Sequence, residues 1–451
     1  MDADSSVQFG IAMVGTFVIS GALFLLLLKR INSRKEAEET VVVNDSAPSK
    51  AKPVDKKSGR KGKSSLQKQS RDVPFSHSWL SCSLKGHSGQ VLDVDASSNG
   101  RYMVSCGSDR NIFLWSAKEF GAKDIKSVKG NVDLDNAKFI KFSPDCKALV
   151  ACLENGNRLA VFKLLKKEGA GSGVTSYRIQ LVEGLEFPEL HAMNIIGIGI
   201  SCSGKFIMSA SSDTTLIVWD LHGSPLKTLD TCLGNNYHAA VSPCGRFVAC
   251  SGFTSDVKVW EVAFSRTGEF QDVNKAFVLK GHTSGVHSFA FNADSTLAVT
   301  ASKDGTWKVW DTKISYKQGQ DPYLLRTGTL DCLRDTVGLL AMAPSGNSFA
   351  LATGTTLRVY QTSSGELAPD ATLNDVHSEP ITALCYTSDG AYFATAGDRH
   401  IRILHNVPGW RALIANLETQ LKSAGSANPS HRERLLSLVE EGKRTLKEIV
   451  H

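Results

Sequence analysis

The 451-residue sequence contains no Cys-x-x-Cys pair and no cluster of His, Cys, Asp and Glu at metal-ligand spacing. Its ten cysteines are scattered from Cys82 to Cys385, which excludes zinc sites and redox dithiols and points to reduced thiols in a core. A phosphate-binding loop is also missing. Gly62-Lys63-Ser64 copies the end of one, but Lys57 stands where its first glycine is required and no strand precedes it. No cofactor is therefore expected. No aromatic residue occurs between Lys29 and Pro74, which argues against base stacking and sequence-specific nucleic-acid reading there. Long apolar runs are scarce. Phe9 to Leu28 supplies 20 residues without a charge, and at roughly 1.5 Å per residue such a helix spans the ~30 Å of a bilayer core.

What is present is a repeat. Three stretches carry the same residue types at the same spacing: His87, Ser105, Asp109, Trp115; His191, Ser209, Asp213, Trp219; and His282, Thr300, Asp304, Trp310. The offsets from each histidine are 18, 22 and 28. Trp219-Asp220 and Trp310-Asp311 end two of the sets, and units of this kind read as four-stranded blades around an axis. Each strand is expected to alternate apolar and polar residues, as in Phe206-Ile207-Met208-Ser209-Ala210. Turns such as Ser242-Pro243-Cys244-Gly245 recover weaker copies. The strand-end residues are then Trp115, Phe162, Trp219, Trp260, Trp310, Tyr360 and Leu404, which makes seven blades. Because Pro408-Gly409 leads into a helical pattern, the last blade lacks a fourth strand, and Trp79–Leu84 is its natural donor. Closure of that kind removes open sheet edges.

These residues resemble the WD-repeat family over about three quarters of the chain. The resemblance implies that each complete His, Ser/Thr, Asp and Trp set is one hydrogen-bonded tetrad holding its blade together, a role that their donors and acceptors can fill. A hydrolase triad shares three of these residue types, but a single active site is not copied three times with a tryptophan each time. Other blades depart from the pattern. Thr254 replaces the aspartate before Trp260, Gly156 and Gly354 stand there in the second and sixth blades, and the last blade has Asp398, His377 one place out of register and Leu404 for tryptophan. Stretches such as Lys303-Asp304-Gly305-Thr306-Trp307-Lys308-Val309-Trp310-Asp311-Thr312 narrow the resemblance to a membrane-anchored member of the family. That implies residence in the endoplasmic reticulum membrane, a cytosolic propeller, and partners among an endoplasmic reticulum stress kinase and the translation machinery.

Asp2 and Asp4 precede the apolar run and Lys29 comes directly after it, so residues 9–28 read as an uncleaved transmembrane helix rather than a signal peptide. Lys29, Arg30, Arg34 and Lys35 all lie after the run. They are expected to keep the rest of the chain, from residue 29 on, at the cytosolic side, leaving residues 1–8 lumenal. Ala12, Thr16 and Ser20 form a small-residue line that offers self-association.

From Lys29 to Asp72, 13 Lys or Arg stand against 6 Asp or Glu, a net of +7. This basic tether, 29–74, is too polar to fold alone. It can be a solvated linker, lie on anionic lipid headgroups, or contact RNA phosphates through residues 29–72. After the propeller at 75–406, Trp410, Leu413, Ile414, Leu417 and Leu421 share a helical stripe. A second helix begins at a Ser430/Glu433 capping box, so 407–451 reads as an amphipathic helical pair, packed on the propeller or open to a partner. The expected molecule is an all-β, seven-bladed propeller between a transmembrane helix and a helical tail. It is expected to be a non-enzymatic scaffold binding cytosolic proteins, with an RNA- or ribosome-binding adaptor as the alternative.

Overall fold

The computed structural model describes residues 75–122, 124–167, 174–185, 187–423 and 429–450. The apolar run 9–28, the residues Lys29, Arg30, Arg34 and Lys35, and the basic tether lie outside the described residues. Among the described residues no helix is long and apolar enough to cross a membrane.

The described strands form seven four-stranded antiparallel sheets. Blades one to six are consecutive meanders over 91–131, 137–181, 195–230, 236–279, 286–329 and 338–373. The seventh combines Ala383–Tyr386, Tyr392–Ala396 and His400–His405 with Leu80–Lys85 from the other end of the chain. Leu80–Lys85 pairs antiparallel with His400–His405, with Cys82 opposite Ile403 and Lys85 opposite His400. A strand delivered from the start of the repeat region thus fastens the ring, and the polar edge of His400–His405 is paired rather than open.

The expected apolar and polar alternation does not describe the second strand of each blade. Ile207–Ser211, Phe247–Gly252 and Ser348–Thr353 are buried at every position. The reason is that a blade packs against a neighbour on both faces, so its central strands have no water side. Alternation belongs to sheets with one wet face. Outer strands such as Pro225–Asp230 remain largely exposed. The inner strands of blades one to five carry a register shift after their first paired residue, as at Val91/Asp93, Ile195/Gly197 and Asn236/His238, and such bulges add local twist.

Close approach of inner strands fixes some residue types. A Cβ on Gly197 would lie 2.6 Å from the Ala239 carbonyl oxygen of the next blade, so only glycine fits there. Between blades one and two, Ile140 N–H donates to Asp93 and Phe142 N–H donates to Asp95. Lys141 Nζ lies 3.0 Å from Asp93 and 3.6 Å from Asp95. Although burial opposes its charge, these two carboxylates hold the Lys141 ammonium above its usual range.

Helix α1 (Val407–Ser423) leaves the seventh blade directly, and α2 (Pro429–Val450) comes next. Gly409 N–H donates to the Asn406 side-chain oxygen at 3.0 Å, capping the first turn of α1. One compact unit takes in the propeller, α1 to Asn416, and α2 from Leu446; Leu417–Thr445 belongs to a second unit. Within the first, Val407 joins a core with Trp79, Phe393 and Leu404, and Leu446 and Ile449 pack against it. Arg411 clasps Asp370 with two hydrogen bonds of 2.6 and 2.7 Å. Within the second, Lys443 pairs with Glu418 at 2.6 Å.

All ten cysteines are free thiols. Burial pushes Cys152 up to about 12 and Cys82 up to about 11, so these stay protonated and unreactive near neutral pH.

Candidate functional site

The recurrent polar residues meet inside their blades. In the first, Trp115 Nε1 donates to Ser105 Oγ at 2.9 Å, Ser105 Oγ is 2.9 Å from His87 Nε2, and His87 Nδ1 is 2.9 Å from Asp109. The fifth repeats the chain: Trp310 to Thr300 at 3.0 Å, Thr300 to His282 at 2.8 Å, and His282 to Asp304 at 2.9 Å. Each aspartate also accepts a backbone N–H, from Ser88 or Thr283, which ties the loop before the inner strand to the turn between the middle strands.

The third blade differs. Trp219 donates to Ser209 at 2.8 Å and Ser209 is 2.7 Å from His191, but His191 Nδ1 meets Thr215 Oγ1 at 3.0 Å instead of Asp213. Thr215 in turn donates to Asp213 at 2.6 Å. Asp213 therefore acts on the imidazole through a hydroxyl.

The seventh blade corrects the sequence reading, in which His377 was out of register. His377 Nε2 lies 2.9 Å from Thr395 Oγ1 and His377 Nδ1 lies 3.0 Å from Asp398. The turn before His400 is one residue shorter than its counterpart before Asn111, so aspartate moves one place closer while the histidine-to-hydroxyl spacing of 18 persists. Arg402 adds a guanidinium that bonds both His377 and Asp398.

These groups cannot do hydrolytic chemistry. Ser105, Ser209 and Thr300 are 0% exposed, so no substrate can reach the hydroxyl. Burial lowers the pKa of His87, His191, His282 and His377 against the pull of neighbouring carboxylates, which leaves each imidazole neutral at pH 7 and suited to bridging. Among the described residues no group of three or more His, Cys, Asp or Glu could hold a metal ion.

Accessible chemistry lies instead on one face. The antiparallel meander places the loops before each inner strand and between each pair of middle strands at the same end of the ring. Leu134, Met193, Tyr237, Phe253 and Val337 are exposed there, Leu134 by 87% and Phe253 by 66%. Between blades four and five this face opens into a cleft of about 300 Å³ lined by Tyr237, Phe253, Ser255, Thr283, Ser284 and Lys303, with Gly285 among its lining residues.

Known proteins share this repeat. The family described as "WD domain, G-beta repeat" matches at residues 78–116, 189–220, 274–311 and 369–404. Transducin beta-like protein 2 of Homo sapiens is 45% identical over 88% of this chain and 88% of its own length. The Mus musculus protein of that name is 44% identical over 87% of this chain and 88% of its own. The chain belongs to the WD-repeat family, in the branch that holds transducin beta-like protein 2. Nuclear distribution protein PAC1 of Arthroderma benhamiae is 25% identical over 59% of each chain.

Each of the four matched segments of this WD-repeat protein carries one of His87, His191, His282 and His377. Blades two, four and six lie between them and use other means. In the fourth, Cys250 occupies the hydroxyl position ten residues before Trp260. In the sixth, where the turn is one residue short as in the seventh, Leu351 does so, and it packs with Trp307, Phe349 and Tyr360, whose ring centroids are 5.0 to 5.1 Å apart. Sequence reasoning named none of the cleft residues as a site, since all but Tyr237 come from loops and turns without periodicity.

Proposed function

We propose that this WD-repeat protein is a non-enzymatic scaffold whose loop face docks other proteins. The observation that carries the reading is the contrast between its two sets of polar groups. The recurrent ones are buried and mutually satisfied, and the accessible ones sit among exposed Phe253, Tyr237, Leu134 and Met193 on one face. Exposed apolar and aromatic residues among polar ones on one face suit a partner surface.

The proposal extends to placement. Residues 9–28 anchor the chain in the endoplasmic reticulum membrane, 1–8 lie in the lumen, 29–74 tether the propeller, and 75–406 with the tail at 407–451 stand in the cytosol. Support comes from the length of the uncharged run, the basic Lys29, Arg30, Arg34 and Lys35 on one side only, and the family resemblance carried by stretches such as residues 303–312. The partners proposed on the same likeness are an endoplasmic reticulum stress kinase and translation proteins. Proximity labelling from the intact, membrane-embedded chain tests this. Recovery of cytosolic translation or stress-response proteins is expected, and recovery of lumenal proteins alone would refute it.

The alternative, an adaptor that touches RNA or the ribosome, is favoured by the +7 charge of the tether. RNA crosslinked to this chain that survives stringent denaturation and vanishes when the tether's basic residues are neutralised would select it.

A further inference from the structure

The cleft between blades four and five has two chemically different walls. Blade four supplies the aromatic one: Tyr237 is the second residue of its inner strand and is 40% exposed, and Phe253 lies just past its second strand and is 66% exposed. Blade five supplies Thr283 and Ser284 from the loop before its inner strand, and Lys303 from the turn after its second. Lys303 is the only charged side chain in the lining. Asp304 beside it turns its oxygens to His282, Thr306 and the Thr283 N–H instead of to the ammonium. Among the described residues no carboxylate is paired with Lys303.

The frame around these side chains is rigid. Lys303 N–H donates to the Gly285 carbonyl at 2.8 Å, and Ser302 Oγ donates to the same carbonyl at 2.9 Å. A Cβ on Gly285 would stand 3.0 Å from the Gly252 and Phe253 carbonyl oxygens and 3.2 Å from the Tyr237 ring. Tyr237 stacks on His287 with centroids 6.4 Å apart, and His287 Nε2 is held 3.0 Å from the Leu333 carbonyl. The Tyr237 ring and the backbone that carries Lys303 are therefore held in place, which leaves less to order on binding.

We infer that this cleft docks a short acidic segment of a partner protein, one in which an aromatic or large apolar residue neighbours a Glu or Asp. The apolar residue lies on Phe253 and Tyr237. The carboxylate meets Lys303 and accepts from the Thr283 and Ser284 hydroxyls. Aromatic anchors supply the affinity, and the ammonium selects charge and speeds encounter. A cleft of about 300 Å³ takes one or two side chains, which suits a linear peptide better than a folded surface. The inference rests on the scaffold reading and names the chemistry of its partner.

The test uses the full-length protein in detergent and a fluorescein-labelled peptide with a Phe-Glu-Glu core in a Gly/Ser background, read by anisotropy. Saturable binding is expected, weakened about tenfold by Lys303→Glu, by Phe253→Ser, and by replacing the peptide's Glu residues with Gln. Both protein variants change exposed side chains, and unchanged melting temperatures show that they fold. A cleft holding only apolar residues would instead bind the Glu and Gln peptides alike, which overturns the inference, as does absent binding or binding that survives both protein variants. If the intact chain still co-purifies cytosolic proteins in those cases, the scaffold reading stands and only the cleft assignment falls.

Discussion

A single guanidinium nitrogen of Arg402 donates to both carboxylate oxygens of Asp398, at 3.1 and 2.9 Å, inside the seventh blade. Both side chains are 8% exposed. The pair completes a tetrad in which leucine has taken the place of tryptophan, and it stands in the blade that closes the ring. Removing one member of a buried ion pair leaves the other charge uncompensated, at a cost of about 3–5 kcal/mol. Asp398→Asn is expected to lower unfolding free energy by that order. Denaturant titration of the full-length protein in detergent would show it, and a midpoint equal to wild type would remove Asp398 from the account of closure.

Inner-strand packing gives a second expectation. Gly197→Ala places a methyl 2.6 Å from the Ala239 carbonyl oxygen, and overpacking of this kind costs about 1–3 kcal/mol. The melting temperature should fall by several degrees. An unchanged value would mean that blades three and four can separate without loss.

Acid should destabilise the ring. Burial pushes His405 down to about 4, and burial with help from the Lys141 ammonium does the same to His238. In the unfolded chain both take up protons near 6.5. Below that pH the unfolded state binds more protons than the folded one, so stability is lost as pH falls from about 6.5 to about 4. Asp304 extends the loss further: despite burial, hydrogen bonds from Thr306, the Thr283 N–H and His282 hold it at about 2. Melting temperatures by circular dichroism should therefore decline from pH 7 to pH 4.5. A flat or rising profile would contradict the neutral, buried state assigned to these imidazoles.

Deleting residues 408–451 removes the buried Trp410 and takes Ile449 away from the core built on Trp79 and Leu404. Lower thermal stability is the expected result. Unchanged stability with loss of co-purifying proteins would instead make the helices a partner surface.

How much of this was legible beforehand depended on what the residues must satisfy. The spacing of His87, Ser105, Asp109 and Trp115 survives in three blades because one hydrogen-bond chain links them, so ring and repeat could be read from it. The donor strand near Trp79 could be inferred from a missing partner. His377 was placed wrongly because a turn shortened by one residue shifts Asp398 without disturbing Thr395. The bond from His191 to Thr215 was invisible for a different reason: a hydroxyl two residues beyond aspartate competes only once the turn is folded. Tyr237, Phe253 and Lys303 form a cleft only because two blades stand side by side, and no periodicity marks them.

The most direct test of the central claim, the proposal that an anchor at residues 9–28 presents the propeller to the cytosol, is protease digestion of sealed microsomes carrying the full-length chain with an epitope at its C-terminus. Loss of the epitope without detergent is the predicted result. An epitope and propeller that remain intact until detergent is added would place the ring in the lumen and contradict the account.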